Sequence, residues 1–500
     1  MKIEKALGQL QESVPTRITG VTDAELDQIK TLWKVWASKV KGNLLRSAYY
    51  DADIMVKDLF ISSPPGVAQK VQAVVGWPAK AVNVLADRTV FEGFVSPDDN
   101  ATDPFDLNSV LVKNNFELEF NQAVRSAYKH SCSFITVSRP LDRPDEILVL
   151  ARSADSSAAT WDRTRREISS MMSVLESDSE GIPTSMDVFL SYVTLRIVRN
   201  GTHWIADRLP NPFGKVMAEP VVFDPDMSRP FGRSRISKPV MSITDNAMRT
   251  ILRGEVASEF YTVPRMVVLG VESGAFDRGK WQMTMDRWVG FTRDEDGNAP
   301  QAQQLPQMTM QPLMDQYRSY AAQFAAETDL PISSLGIVQD NPSSAEAMYA
   351  AEKDLITRTR QANRVHANTL RRLSWKIIAL RDGLAEVPDE ALRLEAKFTN
   401  PSFTSPVTAA DALSKLSAVF PWLAESEVAL EYAGFSRPEI TRLLSDKRRT
   451  SGAGVIDRLI GGGDGFKSRV GTVHSSEPAD RLVDAAGVGD GLGADSGNVG

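Results

Sequence analysis

The spacing of apolar residues changes period several times along this chain, and each change marks an element. Thr22-Asp-Ala-Glu25 has the form of a capping box, in which a Thr hydroxyl and a Glu carboxylate satisfy exposed amides at a helix start; it predicts a helix from about residue 23 to 39. Val75, Ala79, Val82 and Ala86 recur at helical spacing before Phe91, Gly93 and Phe94, which read as a strand or turn. Residues 106 to 130 read as an amphipathic helix pair, and Ser133 to Ser138 and Glu146 to Ala151 as strands. Within Thr194 to Asp207, Asn200-Gly201 supplies the two positive φ values of a type I′ turn and predicts a β-hairpin. Breakers through residues 208–239 forbid a long regular element. Ser242 to Asp245 then has the form of a capped start for a helix to about Tyr261, with Met248, Leu252, Val256 and Phe260 along one side.

Residues 262 to 311 switch to period 2: Trp281, Met283 and Met285 alternate with Gln282, Thr284 and Asp286, and Asp294-Glu-Asp-Gly297 supplies a turn. A small β-rich insertion is expected there. Pro312 opens a helix with Leu313, Tyr317, Tyr320 and Phe324 on one face, stopped by Leu330-Pro331. Ser343-Ser-Ala-Glu346 is a second capping box. From Met348 through Leu355, Val365, Leu373 and Leu380 to Leu384 the three- and four-residue spacing holds, predicting one helix of about 40 residues and about 60 Å. A strand (Leu392 to Phe398) and two capped helices, from Ser405-Pro406 and from Ser436-Arg-Pro-Glu439, come next. Residues 451–500 hold 13 of the 32 glycines with few apolar anchors and read as a mobile tail.

Composition narrows the class. The 500 residues are 42% hydrophobic and 24% charged, as expected of a folded chain long enough for two to four packing units. With Cys132 as the only cysteine, no intrachain disulfide or Cys-rich zinc site can form, and His130, His203, His366 and His474 lack metal-ligand spacing. No apolar run of membrane-spanning length and no signal-peptide pattern is evident, so a cytoplasmic place of synthesis is expected. The net charge of −7 argues against gripping nucleic acid by bulk phosphate neutralisation; it leaves room for a chain that lets nucleic acid slide past.

Candidate chemistry is sparse. Gly461-Gly-Gly-Asp-Gly465-Phe-Lys467-Ser468 lacks the Gly directly before Lys that a phosphate loop needs. Asp294-Glu-Asp296-Gly297 has too few ligands for a calcium loop, and the proline-flanked Asp224 and Asp226 read as turn residues. His130 beside Cys132 reads as a packed pair, and no cofactor site is evident. The long helix is locally basic, carrying Arg358, Arg364, Arg371 and Arg372; a solvated or inter-subunit face and direct phosphate contact both fit that pattern.

The order of elements resembles the portal proteins of tailed bacteriophages, the siphophage type in particular. VVGWPAKAVNVLADRTVFEGF is similar to the family's segment leading into a Gly-Phe strand, LPNPFGKVMAEPVVFDPDMSRPFGRSRISKPV to its connector into the first stem helix, and FYTVPRMVVLG to the segment just beyond that helix. LPISSLGIVQDNPSSAEAMYAAEKDL resembles the loop and start of the long helix, and the likeness spans roughly residues 22 to 445. The resemblance implies an α+β subunit, assembled in a ring: an N-terminal arm (1–20), a wing (21–237), stem helices (238–261 and 312–332), a β-rich clip (262–311), a tunnel loop (333–344), a long kinked helix with the second part of the wing (345–400), a helical crown (401–447) and the Gly-rich tail (448–500).

The resemblance further implies a virion structural protein, assembled in the host cytoplasm, whose twelve copies surround double-stranded DNA at one capsid vertex. Its implied partners are the large terminase subunit, a head-tail adaptor, and the major capsid and scaffolding proteins, with no membrane. Val338, Gln339, Asp340 and Asn341 would face the DNA, and Trp281, Met283, Met285 and Trp288 would pack between subunits of the clip. The alternative from another class is a phage-associated metal-dependent nuclease or hydrolase, which needs acids to converge. Asp224, Asp226, Asp294 and Asp296 all sit in turn-like contexts. A third reading, a non-viral oligomeric scaffold of the same architecture, differs in its genomic neighbours.

Overall fold

The computed structural model describes residues 14–53, 73–97, 103–140, 142–143, 145–201, 203–261, 266–269, 301–304, 309–337, 345–402, 406–435 and 439–450. The chain forms two compact units, Met1–Ser402 and Phe403–Gly500. In the first, helix α1 (Asp23–Tyr50) starts at the predicted capping box: the Thr22 amide donates to Glu25 Oε2 (2.9 Å) and the Glu25 amide to Thr22 Oγ1 (3.4 Å). It runs well past residue 39 because Val40, Asn43 and Tyr49 remain buried, with Asn43 Nδ2 donating to the Ala154 carbonyl (2.9 Å), while the exposed Leu44 and Leu45 blur the periodicity.

One face of α1 covers a six-stranded sheet ordered β1-β9-β8-β7-β6-β5. Its strands are β1 (Ile18–Thr19), β5 (Ser157–Asp162), β6 (Glu167–Ser177), β7 (Pro183–Phe189), β8 (Val193–Asn200) and β9 (His203–Pro210). All neighbours are antiparallel except β1, which lies parallel to β9. Trp33 stands edge-on to Trp36 (5.7 Å) and Trp204 (6.5 Å) in the core between helix and sheet, among Ile29, Leu32, Met186 and Ile197. Met171 and Phe189, paired in register on the other face, join a second and larger core. With apolar residues on both faces, β6 and β7 lack the alternation of a half-exposed strand, and sequence periodicity misses them together with β5.

The larger core is built around a three-stranded sheet, β10-β3-β4, of β3 (Cys132–Ser138), β4 (Leu148–Ser153) and β10 (Ala218–Val222). Helices α2 (Trp77–Ala86), α3 (Leu107–Lys113) and α4 (Phe116–His130), and a ribbon of β2 (Phe91–Val95) with β13 (Glu395–Phe398), contribute to it. The helix pair expected over 106–130 is α3 and α4.

Two local expectations shift. In the β8–β9 hairpin Asn200 stays in the strand opposite His203, and Gly201 carries the positive φ (62°), so the turn lies one residue later than Asn200-Gly201 implied. Helix α5 begins at Lys238 and ends at Tyr261. Ser237 Oγ accepts from the Val240 amide (3.3 Å), placing the start ahead of Ser242.

Helix α5 packs against α6 (Gln311–Thr328). The long helix α7 (Ala345–Asp382) has 38 residues and stops at Gly383, whose φ of 68° is the left-handed geometry of a helix C-terminus. Arg139 donates to the otherwise orphaned carbonyls of Leu380 and Arg381 there. Strand β13 comes after α8 (Asp389–Leu392). In the second unit α9 (Pro406–Val419) begins as predicted, α10 (Glu427–Tyr432) is capped by Ser426 Oγ, which accepts from the Ala429 amide (3.3 Å), and residues 439–450 are helical.

Candidate functional site

The residues nominated for the clip (Trp281, Met283, Met285, Trp288) and the tunnel loop (Val338, Gln339, Asp340, Asn341) lie outside the described residues, as does the capping box at Ser343. What the structure shows is how the body holds the two ends of each segment. β11 (Met266–Leu269) and β12 (Gln301–Gln304) pair antiparallel, Met266 opposite Gln304, beyond the ends of α5 and α6. At the other end of α6, Asp329 takes φ 55°, Leu330 is buried, and a 3₁₀ turn (Ile332–Leu335) closing on Gly336 at φ 80° makes up the first part of the expected loop 333–344; α7 begins at Ala345.

Two arginines fix this junction. Arg235, 6% exposed, donates from Nε to the Ala81 carbonyl and from Nη2 to the Thr328 carbonyl, both at 2.5 Å, so it ties α2 to the last residue of α6. Its guanidinium lies 5.4 Å from the Phe223 ring, and that of Arg358, on α7, lies 5.0 Å from the same ring. Arg358 also reaches Asp224 (3.4 Å) and Asp329 (3.8 Å), joining the long helix to the connector and to the residue that ends α6. Burial pushes Arg235 down to about 10, which leaves it charged at neutral pH. Tyr128 stands edge-on to Phe223 (5.0 Å), and its hydroxyl meets Thr89 Oγ1 (3.1 Å) and His366 Nε2 (3.2 Å). Burial pushes Tyr128 up to about 12 and His366 down to about 4, so both are neutral and serve packing.

The four arginines of the long helix divide between two sides. Arg358 and Arg372 stand two heptads apart and turn toward their own chain; Arg372 Nε pairs with Glu219 (3.3 Å) and its Nη1 donates to the Arg166 carbonyl (3.3 Å). Arg364 and Arg371, one heptad apart, lie about 120° around the helix. Arg364 is exposed, and Arg371 donates to Asn368 (3.0 Å) beside the Trp375 ring. Lys376 belongs to the same basic stretch by sequence but turns inward: its Nζ is 2.7 Å from both Glu219 Oε1 and the Ala218 carbonyl, deep under the three-stranded sheet.

The decoy acids are occupied. Asp226 accepts from the Ser228 and Arg229 amides (2.8 Å each) and from Arg233 (2.7 Å), which holds its carboxyl well below the usual range, with Arg233 the largest cause. Asp224, at φ 49°, faces Arg358. His130 meets Ser47 (3.0 Å), Asp155 (3.2 Å) and Ser126 (3.3 Å), and burial pushes it down to about 3. Burial pushes the Cys132 thiol up to about 11, away from a nucleophilic thiolate. Among the described residues no group of three or more His, Cys, Asp or Glu is placed to hold a metal ion, and no helix is long and apolar enough to cross a membrane. Asp294, Asp296 and the Gly461–Ser468 stretch lie outside the described residues.

The profile of the family described as phage portal protein, SPP1 Gp6-like, matches residues 23–421. The chain is similar to the portal protein of Mycobacterium phage D29, at 25% identity over 427 residues covering 83% of this chain and 87% of that one. It is similar to the portal protein of Mycobacterium phage L5, at 25% identity over 431 residues with the same coverage. Among solved structures, a chain from the neck of a native gene transfer agent particle aligns over 81% of this chain and 98% of its own at 13% identity and a TM-score of 0.38, too distant a likeness to bear on assembly. The matched span runs from the first turn of α1 through α7 into the second unit, taking in both framework ends and the arginine junction, and on that match the chain belongs to the SPP1 Gp6-like family of phage portal proteins.

Proposed function

We propose that twelve copies of this chain close into a ring at one vertex of a phage capsid, with a central channel for double-stranded DNA during packaging and ejection. The observation that carries the reading is the family match over residues 23–421, which runs from the first turn of α1 to the end of the first unit and into the second. The framework supports it. Helices α5 and α6 hold residues 262–310 at one end, and the Arg235–Phe223–Arg358 junction fixes both sides of residues 338–344. In this reading residues 262–311 form the clip, where Trp281, Met283, Met285 and Trp288 pack across subunits and the large terminase subunit and then the head-tail adaptor dock. Residues 333–344 form the tunnel loop, with Gln339, Asp340 and Asn341 making weak polar contact with passing DNA.

The net charge of −7 suits a conduit, because strong phosphate contacts would have to break at every step of DNA movement. The family is one of structural proteins. Light scattering after size exclusion tests the reading: a ring-shaped particle near twelve times the 54.9 kDa chain mass, about 660 kDa, is expected. A 55 kDa particle at high concentration in the presence of capsid and scaffolding proteins would refute it.

A further inference from the structure

A closed ring needs two different surfaces on each copy, because every contact joins one face of a subunit to another face of the next. The six-stranded sheet carries two such surfaces at opposite ends of β6, roughly 33 Å apart at about 3.3 Å per residue. The turn before β6 is basic: Arg163, Arg165 and Arg166 are all exposed. The carbonyl of Arg166 holds Arg372, and Lys215 stands nearby, 4.0 Å from Glu167. The acids at this end are engaged. Asp162 Oδ1 accepts from the Thr164 and Arg165 amides (2.8 and 3.1 Å), and Glu219 is buried under Lys376 and Arg372. The far end of β6 and the turn after it are acidic: Glu176, Asp178 and Glu180 are exposed, and Arg199 is the nearest cation, 4.0 Å from Asp178. Arg17 lies at the same end, ahead of β1 and three strands from β7. Glu176, Glu180, Arg163 and Arg165 make no ion pair among the described residues.

We infer that these two ends meet between neighbouring copies, the arginine turn at 163–166 of one chain seated on the acidic stretch at 176–180 of the next. Opposite charge at the two ends of one rigid strand gives a head-to-tail contact that repeats around the ring and disfavours pairing of like ends. Arginine suits the basic side, since its planar fork binds carboxylates in pairs of hydrogen bonds. The inference rests on the ring reading and adds to it the surface through which copies recognise one another.

Charge reversal tests it with two variants of the full chain. R163E/R165E leaves Arg166, which is at φ 54° and holds Arg372 through its carbonyl. E176K/E180K leaves Asp178, whose carboxylate accepts from the Glu180 and Ile182 amides. Circular dichroism checks that each variant is folded, and light scattering reads its assembly. Each variant alone should lose at least tenfold in ring yield relative to wild type. An equimolar mixture should recover rings in which the two variants alternate, as should the chain carrying all four substitutions. Wild-type yield from either folded variant alone, or no recovery on mixing, would overturn the contact while leaving the ring reading intact. A wild-type chain that never assembles would remove the ring reading and the contact with it. Rings of R163E/R165E that form normally but no longer retain fluorescent duplex DNA would overturn the contact and assign the basic end to nucleic acid.

Discussion

Replacing Lys376 by Met isolates the energetics of the buried charges that lock α7 onto the three-stranded sheet. The ammonium is 7% exposed and the Glu219 carboxylate 5%, with 2.7 Å between them; Arg372 Nε, 3.3 Å from the other carboxylate oxygen, is the second counterion. Removing one partner of a buried pair costs about 3–5 kcal/mol, because the remaining charge keeps its desolvation penalty and loses its attraction. Arg372, about one third exposed, retains part of that attraction, so we expect a loss of about 3 kcal/mol for K376M. At roughly 2 cal/mol/K per residue, a unit of about 400 residues unfolds with an entropy near 0.8 kcal/mol/K, and the loss becomes a fall of about 4 °C in the melting temperature. The double variant K376M/E219L removes both buried charges and should recover to within about 1 kcal/mol of wild type, or about 1 °C. Differential scanning calorimetry of the four chains gives the cycle. A K376M melting temperature within 1 °C of wild type, or a double variant less stable than the single one, would refute the view that the pair is held by mutual compensation.

Three further outcomes are expected. His130 and His366 are pushed down to about 3 and about 4 by burial, so both stay neutral in the fold while the unfolded chain takes up protons below about 6.5. Stability should therefore be fully present above pH 6.5 and fall as pH drops toward 4. In H366F the slope of melting temperature against pH should shrink over that window, and an unchanged slope would exclude His366 as its source. Gly232→Ala places a Cβ 2.1 Å from the Phe223 carbonyl oxygen at φ 70°, beside the ring shared by Arg235 and Arg358. It should cost about 3 kcal/mol or more and sharply reduce soluble yield, and wild-type yield and melting would refute the tight approach. Trp281→Ser and Trp288→Ser should each lower ring yield by light scattering with an unchanged circular dichroism spectrum; full ring yield would argue against their packing between subunits.

Periodicity found the elements that carry one wet face or a marked boundary. Helix α1 was legible from Thr22 and Glu25, the β8–β9 hairpin from the turn at Gly201, and α7 from its spacing over ten turns. Strands β5 to β7 escaped because helix α1 covers one face of their sheet and the second core the other; Met171 and Met172 are both buried on opposite faces, and no alternation survives. Site residues were harder for a different reason. The arginines of α7 share a sequence stretch, but a pitch of 3.6 residues sends Arg358 and Arg372 toward Asp224 and Glu219 and leaves Arg364 and Arg371 on another side. The partners of Arg235 are carbonyls of Ala81 and Thr328, and backbone acceptors leave no trace in side-chain identity. The family was legible because order of elements survives where single residues drift.

The pairing of Met266–Leu269 with Gln301–Gln304 has a consequence for how such a chain can change over generations. Antiparallel partners sit about 5 Å apart, so the entry and exit of residues 270–300 coincide in space. A stretch with coincident ends behaves as a cassette: its length and composition can be exchanged while the ribbon keeps its register, because the Leu269–Gln301 pair alone sets where the stretch leaves and returns. A lineage could then meet a new docking partner by replacing the cassette alone, and grafting residues 270–300 from a distant relative should leave the melting behaviour of the body unchanged.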